Sequence, residues 1–376
     1  MESVPQRPCI LLYEDQLPYC REIAGAGAQP VAVVPLPEDI LPGPEGTACC
    51  RRLMEQAKEE TGGEALICAA IYAGDLILEP YGEMPFAAGV AHFHELAAAC
   101  AAAGANWVMV YCARSLLQAR AGVLGCRASG LPVLVSMEPL GEGEVLLGQT
   151  DLLSAFAVLQ ELGIAAFGYS TSFTGAQLEA LETIRPHRRI PVLSVTRNLT
   201  GNLSAEDTNI LFAQRARQLS ALGVGMMGIR GAKEEQLVYA AGALREARLA
   251  DQEEESELEP DNIWAANETQ VYYLDENLEF SEPVECRLDM TDDVLEAERS
   301  GCDVLCIQLD TADDAYAISL NNGHIDQLPV AFLAEGEEAL EAALFYYNGR
   351  AIVDSRSGLE PEVLEELADR YGAVVL

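Results

Sequence analysis

Three sets of residues have types and spacings that invite chemistry: a His-x-His pair, two cysteine pairs, and polar side chains that directly follow apolar runs. His92-Phe93-His94 would chelate a metal if both imidazoles left one face of a strand. The surrounding run Pro85–Gly104 is Ala-rich and predicts a helix, on which residues two apart point in different directions while Val90, Phe93, Leu96 and Ala97 form the buried stripe. The two histidines therefore read as solvent-facing or capping. Cys302 and Cys306 lie on or beside a predicted strand, where four residues span roughly 13 Å, too far for one metal ion. They read as core, whereas Cys49-Cys50, after the loop Leu41-Pro42-Gly43-Pro44-Glu45-Gly46, remain a candidate thiol site. No G-x-G-x-x-G, P-loop or G-x-S-x-G element occurs, so a phosphate cradle or serine-hydrolase elbow has no support. The acidic run near Glu253–Glu259 has nothing apolar around it to shift a pKa and reads as solvated.

The elements that must position such residues follow from the hydropathy rhythm. Short runs of Val, Ile, Leu and Ala at Cys9–Tyr13, Val31–Pro35, Leu66–Tyr72, Trp107–Tyr111, Pro132–Met137, Ile164–Tyr169, Pro191–Val195 and Val224–Ile229 alternate with helical segments. Eight strands with crossover helices over about 250 residues predict a (β/α)8 TIM barrel. Chemistry in that fold sits at the C-terminal ends of the strands. The residues there are Tyr13, Glu14, Tyr72, Tyr111, Cys112, Met137, Glu138, Tyr169, Ser170, Thr171, Thr196, Arg197, Ile229 and Arg230. Of these, Tyr111, Tyr169, Ser170, Thr171, Arg197 and Arg230 form a candidate ligand-binding mouth, because an Arg among hydroxyls suits a carboxylate or other small anion.

Charge divides the chain. Of 376 residues with a net charge of −37, residues 251–376 hold 33 Asp plus Glu against five Arg and no Lys, a net of −28, which leaves −9 for residues 1–250. The organisation expected is a barrel over 1–250, an acidic linker over 251–268 and a smaller α/β unit over 269–376. Basic residues are too few to release counterions from nucleic acid or to bind an anionic membrane surface. Met1 to Asp15 carries no secretory pattern and no apolar stretch reaches bilayer length, so a cytoplasmic location is expected, with the eleven cysteines mostly reduced and buried. The glycosylation-type triplets at Asn198, Asn202 and Asn267 then have no meaning.

Beyond the linker, strand-like runs at Val271–Leu274, Val304–Leu309, Val330–Leu333, Ala351–Asp354 and Ala373–Leu376 alternate with helical segments, giving about half of a second barrel. Such a truncated, half-barrel-like domain leaves sheet edges open and demands a covering element, a flattened sheet or a partner.

More specific is the stretch Ile71-Tyr72-Ala73-Gly74-Asp75-Leu76-Ile77-Leu78-Glu79-Pro80-Tyr81-Gly82, followed by Ala103–Val110, Leu131–Met137 and Leu162–Gly168. In this order the pieces resemble the homocysteine S-methyltransferase family, the N-terminal module of cobalamin-dependent methionine synthase. Ser300–Leu305, Leu328-Pro329-Val330, Glu338–Leu344 and Asn348–Gly358 resemble the pterin-binding module that follows it in those enzymes. The resemblance implies a zinc ion held by three thiolates that keeps the homocysteine sulfur ionised. Thr171, Ile229 and Arg230 stand at the corresponding positions, so neither metal nor cofactor is expected. On the pterin-like side Cys306, Gln308 and Leu333 replace polar groups, while Asp354 and Ser355 keep the matching turn polar. The role expected is a non-catalytic or repurposed family member in one-carbon or corrinoid methyl transfer, with a corrinoid or methyl-transfer protein as partner. The alternatives are a barrel enzyme or small-anion binder of zinc-independent chemistry, and an assembly subunit that forms a homo-oligomer through the truncated domain.

Overall fold

The computed structural model describes residues 7–138, 146, 150–170, 174–197, 205–251, 264–274 and 277–376. Eight parallel strands close into a barrel: β1 (Cys9–Leu12), β2 (Gln29–Pro35), β3 (Leu66–Tyr72), β4 (Trp107–Ala113), β5 (Val133–Met137), β6 (Ala166–Tyr169), β7 (Val192–Arg197) and β8 (Val224–Arg230), with β8 returning to pair with β1. The expected barrel is thus present, with its strands where the apolar runs lie.

Period-two alternation decides which side chains fill it. Leu11, Val31, Val33, Cys68, Ala70, Met109, Leu134, Leu193 and Met226 pack in the interior, while Ile10, Leu12, Ala32, Ile67, Ile71, Val110, Val135 and Phe167 face the helices. Those helices are α1 (Cys20–Gly25), α2 (Pro44–Glu60), α3 (Phe86–Ala102), α4 (Leu116–Arg127), α5 (Leu152–Glu161), α6 (Thr174–Ile184), α7 (Ala205–Ala221) and α8 (Glu234–Asp251). Ser115 and Asp151 start α4 and α5 by accepting the backbone N–H of Gln118 and Ser154, the usual way orphan donors of a first turn are met. None of the helices among the described residues is long and apolar enough to cross a membrane.

Residues 252–263 of the acidic run lie outside the described residues. The remainder of the expected linker is ordered: β9 (Trp264–Ala266) pairs antiparallel with β10 (Val271–Tyr273). The turn between them is set by Asn267, whose Oδ1 accepts the backbone N–H groups of Thr269 and Gln270. Asn267 is itself buried, and the triplets at Asn198 and Asn202 lie outside the described residues. The run Val271–Leu274, expected to join the second sheet, therefore belongs to a separate ribbon.

The second sheet is open and parallel, in the consecutive order β11 (Val284–Glu285), β12 (Leu305–Leu309), β13 (Val330–Ala334), β14 (Ile352–Val353), β15 (Val374–Val375). α9 (Thr291–Ser300), α10 (Tyr316–Asn321), α11 (Glu337–Tyr346) and α12 (Pro361–Tyr371) accompany it. Its helix-side core contains Val284, Ile307, Leu309, Phe332, Leu340, Leu344 and Leu364. The opposite face, which a complete barrel would enclose, is covered from within the chain. Ala265 of the ribbon and Leu274, Leu278 and Phe280 after it pack on Val304, Ala331, Ile352, Val374 and Leu376.

This unit docks along α4, and that contact explains an otherwise odd helix. Nearly every residue from Leu116 to Cys126 is buried, including Gln118 and Arg120. A helix buried on all sides needs cover on both faces, here the barrel on one and the end of α11 on the other. Arg120, only 1% exposed, donates to the carbonyls of Leu344 and Phe345 and lies 5.8 Å from the Phe86 ring, which itself meets Phe345 edge-on at 5.2 Å. The guanidinium thus caps carbonyls at the C-terminal end of α11, where the helix dipole favours a cation. Burial pushes its pKa down to about 9. Further along, Arg350 donates to the carbonyls of Gly372 and Trp264 and reaches Glu161 of α5 at 3.6 Å. Gly372, at φ 69°, sits so close to the Glu161–Leu162 backbone that a Cβ would fall 2.7 Å from the Glu161 carbonyl carbon.

Arg120→Ala removes both capping bonds and opens a void. A loss of about 3 kcal/mol is expected, as for other buried charged hydrogen-bond donors. A lowered urea midpoint of the full chain checks it, and a change below about 0.5 kcal/mol would contradict the assignment.

Candidate functional site

Strand register brings Tyr111, Tyr169, Arg197 and Arg230 to one end of the barrel. Tyr72 pairs with Tyr111, Ala113 with Met137, Met137 with Tyr169 and Arg197 with Arg230, all at the C-terminal ends.

The centre of this end is Arg230, the last residue of β8. The turn after β1 positions it: the buried Gln16 donates through Nε2 to the carbonyls of Ile229 and Ala232, while its Oε1 accepts the Tyr13 backbone N–H at 3.2 Å. That brace ties the end of β1 to the end of β8 and lays the Tyr13 ring beside Arg230. Gly228 makes the room, since a Cβ there would stand 3.2 Å from the Tyr13 hydroxyl. The guanidinium carbon lies 4.8 Å from the Tyr13 ring centre and 5.1 Å from that of Tyr111, so a ring on each of two sides holds the cation. Burial raises the Tyr13 phenol to about 12, with Arg230 opposing, so the hydroxyl stays neutral at ordinary pH. Arg230 Nε is buried and has no hydrogen-bond partner among the described residues. A fixed guanidinium with an unused donor at a barrel mouth is equipped to receive an anion.

Beside it lies a pair that the residue list contained but did not single out. The β4–β5 register shifts between Val110 and Ala113, and Cys112 takes φ 57°, the left-handed region that non-glycine residues seldom occupy. The extra residue lets Tyr111 remain on the inner face and turns Cys112 toward β5, where its Sγ donates to Glu138 Oε2 at 2.7 Å. Burial, then the hydrogen bond and charge of Glu138, push the thiol pKa well up. At rest Cys112 is a protonated thiol and a poor nucleophile, and Glu138 is the acceptor that would receive its proton. Arg114 closes this side by donating to Tyr72 Oη at 3.3 Å, to Asp75 at 3.2 Å and to the Gly74 carbonyl. Apolar patterning carries no mark of a bulge, which is why sequence reasoning treated Cys112 as one strand end among many.

The remaining expected residues divide. Ser170 faces inward and shares a 3.2 Å hydrogen bond with Ser136. Tyr169 does not line the mouth: Ala166 packs in the interior, so alternation sends Phe167 and Tyr169 into the helix-facing layer, where Tyr169 is buried with Met137 and Ile229. Arg197 ends β7, placed by its backbone alone, and Thr171 lies outside the described residues. His92 is half-buried and His94 exposed on α3. Cys50 is buried beside Cys100 and Cys49 half-buried beside Arg52, while Cys302 bonds the Ala297 carbonyl. Among the described residues no group of three or more His, Cys, Asp or Glu side chains is placed to hold a metal ion.

On the second sheet, Asp354 is buried and already engaged. Arg356 grips both its oxygens, with Nη2 at 2.6 Å from Oδ2, and Cys306 lies 3.8 Å away. Ser355 is exposed and its backbone N–H bonds the Leu376 carbonyl. Phe280 lies under the Arg356 guanidinium at 5.4 Å. The expected pterin-like turn thus holds an ion pair between the buried Asp354 and the largely exposed Arg356.

No family model matches the chain, and no curated protein matches it in sequence. Among solved structures it is similar to the apo homocysteine methyltransferase MmuM from Escherichia coli, at 15% identity and a TM-score of 0.49 over 65% of this chain and 96% of that one. It is similar also to 3-hexulose-6-phosphate synthase from Salmonella typhimurium (15%, 0.40, over 64% and 99%) and to dihydropteroate synthase from Yersinia pestis (15%, 0.41, over 65% and 95%).

The Cys112–Glu138 geometry sets an alkylation order. Iodoacetamide at pH 8, read by peptide mass mapping, is expected to modify Cys112 at least about tenfold more slowly than Cys49, because burial and the adjacent carboxylate disfavour the thiolate. Glu138→Gln removes the charge and should raise the Cys112 rate several-fold. Equal rates in the native protein would refute the pairing.

Proposed function

We propose that this chain is a barrel of the homocysteine S-methyltransferase type whose metal-thiolate centre has been replaced by a cationic mouth that binds a small anion, a carboxylate above all. The role that fits is a non-catalytic or repurposed component of one-carbon or corrinoid methyl transfer, working with a methyl-transfer protein. The observation that carries this reading is Arg230, held between Tyr13 and Tyr111 with a buried Nε lacking a protein partner among the described residues. Its identity matters because the resemblance aligns Ile229 and Arg230 with two adjacent thiolates. An isoleucine offers no donor atom and a guanidinium repels a cation, so these residues do not fit a zinc site.

The family reading rests on the ordered sequence resemblance, and the fold is compatible with it. An enzyme of zinc-independent chemistry at the same mouth is a second reading, favoured by the Cys112–Glu138 pair. Self-association through the second sheet has less to recommend it, since residues of the chain's own 265–280 segment already cover that sheet's inner face.

Isothermal titration with homocysteine, methionine, succinate and methyltetrahydrofolate tests the proposal. At least one carboxylate is expected to bind, and Arg230→Gln to weaken it about 10- to 100-fold, the range for loss of a charge-assisted hydrogen bond. Stoichiometric bound zinc together with methionine formation from homocysteine would overturn it, as would binding indifferent to Arg230→Gln.

A further inference from the structure

We propose that Glu268 is a proton-operated latch that fastens the second unit to the rim of the barrel, closed when its carboxyl is protonated and loosened when it ionises. The inference is independent of any ligand at the mouth. Glu268 sits in the β9–β10 turn and reaches across to the start of α5. Its side chain accepts from Thr150 Oγ1 on the barrel side and from Asn348 Nδ2 at 3.1 Å on the other, and its backbone carbonyl accepts the Asp151 N–H at 2.9 Å. Thr150 Oγ1 in turn accepts the N–H of Leu116, the first residue of α4. One residue therefore joins the starts of α4 and α5 to the second unit.

Two features favour the neutral form. No Lys or Arg pairs with Glu268 among the described residues, and the groups that face it are Thr150 and the Tyr81 phenol from the barrel and Asn348 and Asp326 from the second unit. None supplies positive charge, and Asp326 adds negative charge. In addition, Asn348 Oδ1 is buried with no donor among the described residues, a bare acceptor beside a carboxylate that already accepts two hydrogen bonds. An ionised Glu268 brings only further acceptors to this buried cluster, whereas a protonated one brings a donor.

Burial pushes the Glu268 carboxyl up to about 7, with Asp326 acting in the same direction and the Thr150 and Asn348 hydrogen bonds opposing. The sign follows. A carboxyl whose pKa is higher when the latch is closed adds stability that is complete below its open-state pKa and is lost as pH rises toward about 7. Opening then releases one proton, so the opening constant climbs about tenfold per pH unit between about pH 5 and about pH 7 and levels off above.

Amide hydrogen exchange of Asp151 in the full chain reads this directly, with Glu268→Gln as a permanently neutral mimic. The ratio of native to variant rates at each pH cancels the intrinsic pH dependence of exchange. It is expected to rise about tenfold per unit over that window and then flatten. A ratio constant from pH 5 to pH 8 would overturn the latch. Should Glu268→Gln fail to fold, Thr150→Val, which withdraws a donor from the ionised form, is expected to move the native profile to higher pH. An unmoved profile would overturn the latch equally.

Discussion

The structure turns on one desolvated guanidinium. Arg120 lies in the middle of a helix that the sequence makes small and apolar, and it has no carboxylate partner among the described residues; it is held by two carbonyls at the end of α11 and by the Phe86 face. A cation buried without them would be left with unmet donors and no water, a penalty of several kcal/mol. The arrangement is therefore favourable only when both units are present and in register. It follows that α4 is an interior helix of the whole molecule rather than a surface helix of the barrel, and that the second sheet has a structural task even where its ligand face is closed.

That task bears on how the second sheet is finished. Five parallel strands would expose an apolar inner face and two edges. The chain covers the inner face with its own Leu274, Leu278 and Phe280, and seats the β15 side against α5 through Gly372 and the Arg350–Glu161 contact. Asp354, which could have met a ligand, meets Arg356 instead. A surface that a closed barrel would enclose is here packing, so what it requires of its residues is shape.

Much of this was legible in sequence because period and composition are local. The eight barrel strands coincide with eight apolar runs, and the charge break near residue 250 falls at the end of α8. What escaped was set by contacts distant along the chain. Tyr169 was expected at the mouth, but the inward placement of Ala166 fixes it in the outer layer. The run at Val271–Leu274 was expected in the parallel sheet, but the Asn267 turn folds it back on β9. The bulge at Cys112 and the burial of Arg120 depend on partners 26 and more than 200 residues away, which no local pattern records.

The net charge of −37 would appear to forbid an anion site anywhere on this protein, yet its distribution argues otherwise. Coulombic repulsion from exposed carboxylates fades over a Debye length of about 8 Å at physiological ionic strength, whereas a guanidinium in direct contact with its ligand is scarcely screened. Most of the acidity belongs to residues 251–376, outside the barrel strands that carry Arg230, whose close neighbours are the rings of Tyr13 and Tyr111. For the anion proposed at this mouth, the remote field would affect how quickly it arrives more than how firmly it is held, so added salt would speed capture while short-range geometry at Tyr13, Tyr111 and Arg230 would set affinity.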